Sequence, residues 1–300
     1  RVSLLLASCA FVTELGIIAV GGYYLLDTDR IWQGISMLGR EPTWPGFIKG
    51  VAMAMVAFIG IEATAQLAGE TKDPVKHIPR AMNLIMISVF VMCVGISIVA
   101  LSAMTPQELT TKWLENPMAG VASKLPGIGS LLVKWVSFLG VVILTVAANA
   151  GILGASRLGY SMAGHFQLPY IFVRIHPRFK TPHLAILLFS GIAAAILIVA
   201  QELHVLAFVY NFCSMLAMAL AHLCLIGLRF RDPETPRPFR VPWNVRLASH
   251  EIPVTALVGF AGTLAVWFIV ALHHPVGRTL GFAWIAAGAA AYFYYRKSSG

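Results

Sequence analysis

Residues 56–80 read VAFIGIEATAQLAGETKDPVKHIPR, an apolar run that carries one acid, Glu62, and then passes into a short charged segment. A charged side chain inside an apolar span is costly, about 2.5–3.5 kcal/mol at a helix centre on insertion scales. Gly60 lies two residues before the acid and has the backbone freedom to end a helix there. The stretch therefore predicts a helix that breaks beside an acid, so that its freed backbone groups line a cavity inside a membrane.

The composition of the chain is that of a membrane protein. Of its 300 residues, 58% are hydrophobic and 12% are charged, with a mean hydropathy of +0.78, whereas a soluble domain carries about 25% charged residues. The net charge of +9 would favour nucleic-acid binding in a soluble chain. Here the basic residues stand in short loops between apolar spans, where they orient a membrane protein. We therefore expect a lipid bilayer, and no nucleic acid, among the partners.

Eight apolar segments are long enough to cross a bilayer, which takes about 20 residues of helix. They are residues 4–26, 47–69, 80–104, 131–157, 183–201, 204–228, 252–272 and 277–295. If the first residue is cytoplasmic, the alternating loops place about two thirds of the Lys and Arg residues on the cytoplasmic side, as the positive-inside rule requires. The pattern predicts an all-α polytopic protein of the plasma membrane, with both ends of this chain in the cytoplasm.

The segments between the spans carry further signals. Pro74 is expected to end the second span, and Pro79 suits the first turn of the third. The polar stretch 105–129 predicts short surface helices, and the stretch 157–182 predicts an amphipathic segment on the cytoplasmic face. The basic, proline-rich stretch 229–246 is expected to take its order from contacts with other loops.

Two acids, Glu14 and Glu62, lie near the middle of their spans. Each is expected to be protonated, to face a polar cavity or to meet a cationic ligand, because intramembrane acids mark functional sites by default. The alternative is a protonated acid that donates to a neighbouring backbone carbonyl and locks two helices together. Gly60 has its own alternative, since glycines also serve close helix packing.

Other polar groups inside the spans have a simpler explanation. A face of the fourth span combines polar and small residues: Thr145, Asn149, Gly151, Gly154 and Ser156. For each of them, and for Asn211 and Ser214 in the sixth span, a packing seam with interhelical hydrogen bonds is the favoured interpretation. The four cysteines, which form no CxxC or His/Cys cluster, are interpreted as reduced packing residues. We predict no metal site and no cofactor.

Two ordered motifs resemble the amino acid–polyamine–organocation (APC) superfamily. The first runs from FIGIEA at 58–63 through GETKDP at 69–74 to IPRA at 78–81, and is similar to family helix six and its following loop. The second is SRLGYSMA at 156–163 with LP at 168–169, HPR at 176–178 and TP at 181–182, similar to the end of helix eight and the next loop. The resemblance implies a LeuT-like inverted-repeat transporter fold.

The resemblance covers the whole chain, from family helix five to helix twelve, so helices one to four are missing. We therefore expect a C-terminal part of a permease that does not transport alone. It implies a single transmembrane domain over residues 1–300. Residues 4–26 would be the last helix of the first repeat, 47–228 the second repeat and 252–295 two extra helices.

The family's site residues carry over position by position. Ala57, Phe58, Ile59 and Gly60 match the unwound segment whose backbone carbonyls meet the substrate amine, and we add Asn149 and Gly151 as candidate substrate-binding residues. Glu62 matches the acid that antiporters of arginine and polyamines use in proton-sensitive handling of substrate. Glu14 follows by eleven residues the position, here Ser3, at which proton-coupled relatives often carry a lysine; we take Glu14 and Glu62 as candidate proton-coupling residues. The gating tryptophan of the arginine antiporters falls on Val56, which argues against an arginine–agmatine exchanger.

The resemblance thus predicts secondary transport of amino acids or related amines by alternating access, either proton-coupled or by exchange, and no enzymatic activity. An intramembrane enzyme that uses a buried carboxylate is one alternative, and a non-transporting receptor or scaffold is another. An enzyme of this kind would show a cluster of His, Asp or Ser at one membrane face. The pair His273-His274 is the one candidate, and no acid is near it in sequence.

Overall fold

The computed structural model describes residues 2–58, 60–200, 203–241, 243–247, 250–273 and 275–299, and helices account for most of them. The helices are α1 Val2–Leu25, α2 Thr28–Ser36, α3 Trp44–Ala54, α4 Glu62–Gln66, α5 Pro74–Ala103, α6 Pro106–Thr111, α7 Pro117–Ser123, α8 Gly129–Gly164, α9 His183–Ala200, α10 Leu203–Arg231, α11 Val254–His273 and α12 Pro275–Ser299. Two short strands, β1 Asn244–Leu247 and β2 His250–Pro253, form an antiparallel hairpin. The prediction of an all-α chain is confirmed, with this hairpin as a local exception.

Six stretches of the described residues are long and apolar enough to cross a membrane. They are Val2–Leu25, Trp44–Gln66, Pro74–Ala103, Gly129–Gly164, Val205–Arg231 and Val254–His273. They coincide with six of the eight predicted spans, so the chain is a polytopic membrane protein. Helices α9 and α12 coincide with the other two, and their crossing of the membrane stays a prediction.

Large apolar side chains point outward along these helices. Leu5 on α1, Leu84 on α5 and Leu144 on α8 each keep two thirds or more of their surface exposed. Apolar surface on this scale is unfavourable in water and favourable against lipid chains. The exposure therefore agrees with a protein whose outer surface meets a bilayer.

The first of two compact units comprises Arg1–Trp44 and Asn83–Gly151. Its buried core is formed by Ile17, Val99, Ala100, Met104, Ala119, Val121, Ala122 and Val136. Three of these residues belong to α7, so the expectation of a surface helix at this place is wrong. The sequence of α7 consists largely of small and apolar residues, and Asn116 caps it by accepting a hydrogen bond from the backbone N–H of Ala119.

Helix α6 is the surface helix that was expected. Thr105 and Glu108 form a capping box, in which each side chain accepts a hydrogen bond from the other residue's backbone N–H. The bond from Thr105, followed by the ammonium of Lys124 at 3.0 Å, holds the pKa of Glu108 below its ordinary value. The carboxylate is therefore charged at neutral pH and favours this helix start until the pH falls through its lowered pKa.

The second compact unit comprises Pro45–Met82 and Ile152–Gly300. Phe212 of α10 is fully buried at its centre, with ring centroids 5.2 Å from Trp267 of α11 and 5.1 Å from Phe282 of α12. Gly281 allows this packing, because a Cβ at that position would overlap the Phe212 ring. Aromatic packing thus joins the last three helices of the chain.

Several predicted boundaries are wrong. Helix α5 begins at Pro74, six residues earlier than predicted, so Pro79 lies inside the helix and has no N–H to donate to the carbonyl of Val75. Helix α8 continues through Arg157 to Gly164, and the following predicted amphipathic segment contains only a 3-10 turn, Tyr170–Val173. Both extensions run through polar ends of helices, where hydropathy no longer marks the boundary.

The basic stretch 229–246, which was expected to take its order from contacts with other loops, ends in the hairpin. Arg246 on β1 is opposite Glu251 on β2, and the two carboxylate oxygens of Glu251 lie 3.3 Å from Arg246 and Arg240. Ile252 belongs to β2, although hydropathy assigned it to the seventh span. The cross-strand ion pair between Arg246 and Glu251 joins this stretch to the residues that follow it, a contact that composition alone did not indicate.

Candidate functional site

The predicted helix break is present. Helix α3 ends at Ala54, a 3-10 turn covers Met55–Phe58, and α4 begins at Glu62. Gly60 lies between them with φ of +108°, a backbone conformation that L side chains rarely adopt. The break therefore depends on glycine for its backbone geometry and not for space, because a Cβ at Gly60 would meet no atom of the described residues beyond its chain neighbours within 4 Å.

Glu62 closes the break with its own side chain. Its Oε2 accepts a hydrogen bond of 2.7 Å from the backbone N–H of Gly60, and the first backbone bond after the break runs from Ala63 to the carbonyl of Gly60 at 3.1 Å. In this hydrogen bond the carboxyl oxygen of Glu62 is the acceptor. The alternative role, in which a protonated acid locks two helices together, requires Glu62 to donate to a backbone carbonyl. The half-buried carboxylate thus lies at the start of α4, where the first backbone N–H groups make tight-turn hydrogen bonds, including that of Thr64 to the carbonyl of Ile61 at 3.1 Å.

The other residues carried over from the family motif lie around this break. Ala57 is exposed and Phe58 is half-buried in the 3-10 turn, whereas Ile59 is outside the described residues. Asn149 and Gly151 are exposed on the portion of α8 that belongs to the first unit, whereas Gly60 and Glu62 belong to the second. That these residues form one binding site stays a prediction.

Glu14 lies between two cavities of the first unit. The larger has a volume of about 200 Å³ and is lined by Leu6, Ala7, Ala10, Phe11, Glu14, Val142, Ile143 and Val146. The smaller, about 100 Å³, adds the polar side chains of Thr13 and Asn116 to its lining. Of the residues that line the two cavities, Glu14 is the one with an ionisable side chain. The structure therefore places this acid beside two cavities, of which the smaller also has polar side chains that could bind a water molecule.

Two residues of α10 near the break were not identified as site residues from the sequence. Tyr210 lies within range of an electrostatic interaction with Glu62. Asn211 is fully buried and donates from Nδ2 to the carbonyl oxygen of Ala52 on α3 at 2.6 Å, while its Oδ1 has no partner among the described residues. The interhelical hydrogen bond predicted for Asn211 is thus confirmed, and it holds α3 just before the helix ends.

Replacing Asn211 with alanine is expected to destabilise the protein by about 1–2 kcal/mol, because the change removes an interhelical hydrogen bond and leaves a cavity. The measurement is thermal unfolding of the purified protein in detergent. Asn149→Ala is the matched control, since this asparagine is exposed. Equal melting temperatures for the two variants would contradict the role of Asn211.

The described residues offer little for other chemistry. They contain no group of three or more His, Cys, Asp or Glu side chains placed to hold a metal ion. His273, at the end of α11, makes a 2.9 Å hydrogen bond through Nδ1 with the carbonyl of Ile269 in its own helix. His274, its partner in the candidate enzymatic pair, lies outside the described residues.

Comparison with known proteins identifies the relatives of the chain. A family model described as "Amino acid permease" matches residues 1–294. The chain is 29% identical to the methylthioribose transporter of Bacillus subtilis (strain 168) over 263 residues, 86% of this chain and 53% of the relative. It is 25% identical to the branched-chain amino acid permease BcaP of the same organism over 299 residues, 99% of this chain and 59% of the relative.

A mammalian relative shows the same pattern. The large neutral amino acids transporter small subunit 2 of Homo sapiens is 26% identical over 298 residues, which are 96% of this chain and 50% of the relative. The chain therefore spans about half the length of the curated relatives it matches. The family and these relatives are transporters, which are not enzymes.

Proposed function

Because the chain belongs to the amino acid permease family, we propose that it forms part of a secondary transporter that moves amino acids or related amines by alternating access. The observation that carries the proposal is the break at Gly60, where a carboxylate within a candidate membrane span lies beside an interrupted helix. A receptor or scaffold has no need of an acid at such a break, and an intramembrane enzyme needs a cluster of catalytic groups around it.

The proposed mechanism assigns a role to each candidate residue. The substrate amine contacts backbone carbonyls of the segment from Ala57 to Gly60, and Asn149 and Gly151 add contacts from α8. Glu62 takes up a proton on one side of the membrane and releases it on the other as the site changes its accessibility. Glu14, beside its two cavities, modulates that coupling.

We propose the same arrangement in the membrane that the sequence predicts. Residues 1–300 form one transmembrane domain, with 4–26 as the last helix of the first repeat, 47–228 as the second repeat and 252–295 as two extra helices. The protein lies in the plasma membrane with both ends of this chain in the cytoplasm. Transport is driven by a proton gradient or by exchange of substrates. The lipid bilayer surrounds the outer surface of the helices.

The names of the relatives suggest which class of substrate to test first. The named substrates of the two amino acid transporters are branched-chain and large neutral amino acids, and neither class has a charged side chain. Val56 stands where the arginine antiporters have a tryptophan. We therefore propose a neutral amino acid as the substrate, with methylthioribose as the competing possibility from another relative.

Uptake into proteoliposomes tests the proposal. With the full-length protein, radiolabelled leucine is expected to accumulate faster than in protein-free vesicles, and excess unlabelled leucine should reduce that uptake at least tenfold. Arginine should compete weakly. Recovery of chemically unchanged leucine from the vesicles separates transport from an enzymatic reaction. Uptake of methylthioribose without uptake of any amino acid would show that the proposed substrate class is wrong.

A further inference from the structure

The short helix after the break is fastened to α8 by an ion pair. Glu70 ends the 3-10 turn Ala68–Glu70 that follows α4, and its Oε1 lies 2.7 Å from Nη1 of Arg157. The Arg157 side chain is 26% exposed and that of Glu70 is 56% exposed. The Nε of Arg157 is buried and has no partner among the described residues, and Glu70 is an anion in direct contact with this guanidinium.

A second contact brings α4 against the same face of α8. Gly154 lies one turn before Arg157, and a Cβ at that position would overlap Oε1 of Gln66 on α4. The same Cβ would lie 3.9 Å from the Cβ of Ala63. The segment from Glu62 to Glu70 therefore begins at the Gly60 turn and contacts α8 near its middle. At its end the Glu70–Arg157 ion pair holds it to α8.

We propose that the Glu70–Arg157 ion pair is a gate that holds α4 against α8 in one state of the transport cycle and releases it in another. This inference rests on the proposed function, because a gate has meaning only for a transporter. A partly exposed ion pair is weak enough to break at each cycle. When the ion pair breaks, the glycine turn supplies the backbone freedom that α4 needs to move. Glu70 and Arg157 are accordingly positioning residues and do not touch the substrate.

Variants with reversed charges at the two positions test the gate. The measurement is the rate of amide hydrogen–deuterium exchange in the purified protein, which requires no transport. The variants are Glu70→Arg, Arg157→Glu and the double variant with both changes. Amides of residues 62–71 are expected to exchange about fivefold faster in each single variant and at the wild-type rate in the double variant. Peptides of the first compact unit should not change. Arg174→Glu, at an exposed position, is the control for charge reversal alone.

Uptake by the full-length variants provides the functional arm. The maximal rate is expected to fall at least fivefold in each single variant, with KM within twofold of wild type, and to recover in the double variant. If amide hydrogen exchange at residues 62–71 is unchanged in the single variants, the gate is wrong. Faster amide exchange together with a wild-type maximal rate of uptake would also contradict it. If the wild-type protein transports no amino acid, the proposed function fails, and the exchange data still decide whether the ion pair holds α4.

Discussion

Replacing Gly60 with alanine is expected to reduce uptake about tenfold. The residue has φ of +108°, and a side chain in such a conformation costs of order 1–3 kcal/mol. Chain neighbours aside, no atom in the described part of the chain lies within 4 Å of the added Cβ, so the loss comes from backbone strain and not from a clash. The strain favours conformations that remove the break and with it the exposed backbone groups of the binding segment. Uptake of leucine by the full-length protein is the measurement.

The neighbouring helix offers a matched control for this change. Gly50 lies inside α3, and the Cβ of an alanine there likewise meets no atom within 4 Å among the described residues outside its own stretch of helix. Its helical backbone accepts a side chain, and alanine is expected to favour the helix by about 0.5–1 kcal/mol. Gly50→Ala should therefore keep its uptake. Equal uptake by the two variants would show that the break does not depend on Gly60.

Replacing Glu62 with glutamine is expected to reduce uptake at least tenfold and to remove its dependence on pH. The amide oxygen of glutamine is able to accept the 2.7 Å hydrogen bond from the N–H of Gly60, so the geometry of the break is preserved. What the variant loses is the ionisable group that the proposed mechanism loads and unloads with a proton. The measurement is the rate of uptake between pH 5 and pH 8 with the pH gradient held constant.

A second glutamate separates this effect from a general change of charge. Glu115 is exposed between α6 and α7, outside the membrane-spanning helices, and Glu115→Gln should leave both the rate and its pH profile unchanged. If Glu62→Gln transports at the wild-type rate with the wild-type pH profile, the role assigned to Glu62 is wrong. A reduced rate with an unchanged pH profile would assign Glu62 to substrate binding alone.

The break itself was predictable from local sequence, and its surroundings were not. Glycine and an acid within one apolar span were sufficient to indicate where the helix ends, because backbone freedom and the cost of a buried charge act at the residue itself. The bond between Asn211 and Ala52 joins residues 159 positions apart. Local sequence does not distinguish a buried asparagine with a packing role from one that binds the end of another helix.

Errors at the ends of helices have the same origin. Hydropathy decreases where a helix leaves the bilayer, although backbone hydrogen bonding continues, and α8 therefore extends through Arg157 to Gly164. The extension matters for the proposed gate, because it places Arg157 on a helix and within reach of Glu70. The sequence motifs contained both residues and gave no indication that they pair.

The membrane class of this protein, its family and the position of the broken helix were predictable from the amino-acid sequence alone. Each of these follows from hydropathy over a span, from an ordered motif or from the conformational freedom of a single glycine. The burial of α7, the hydrogen bond from Asn211 to α3 and the attachment of α4 to α8 through Glu70 are visible only in the folded molecule. These features depend on contacts between distant segments, and such contacts are defined only when the helices pack.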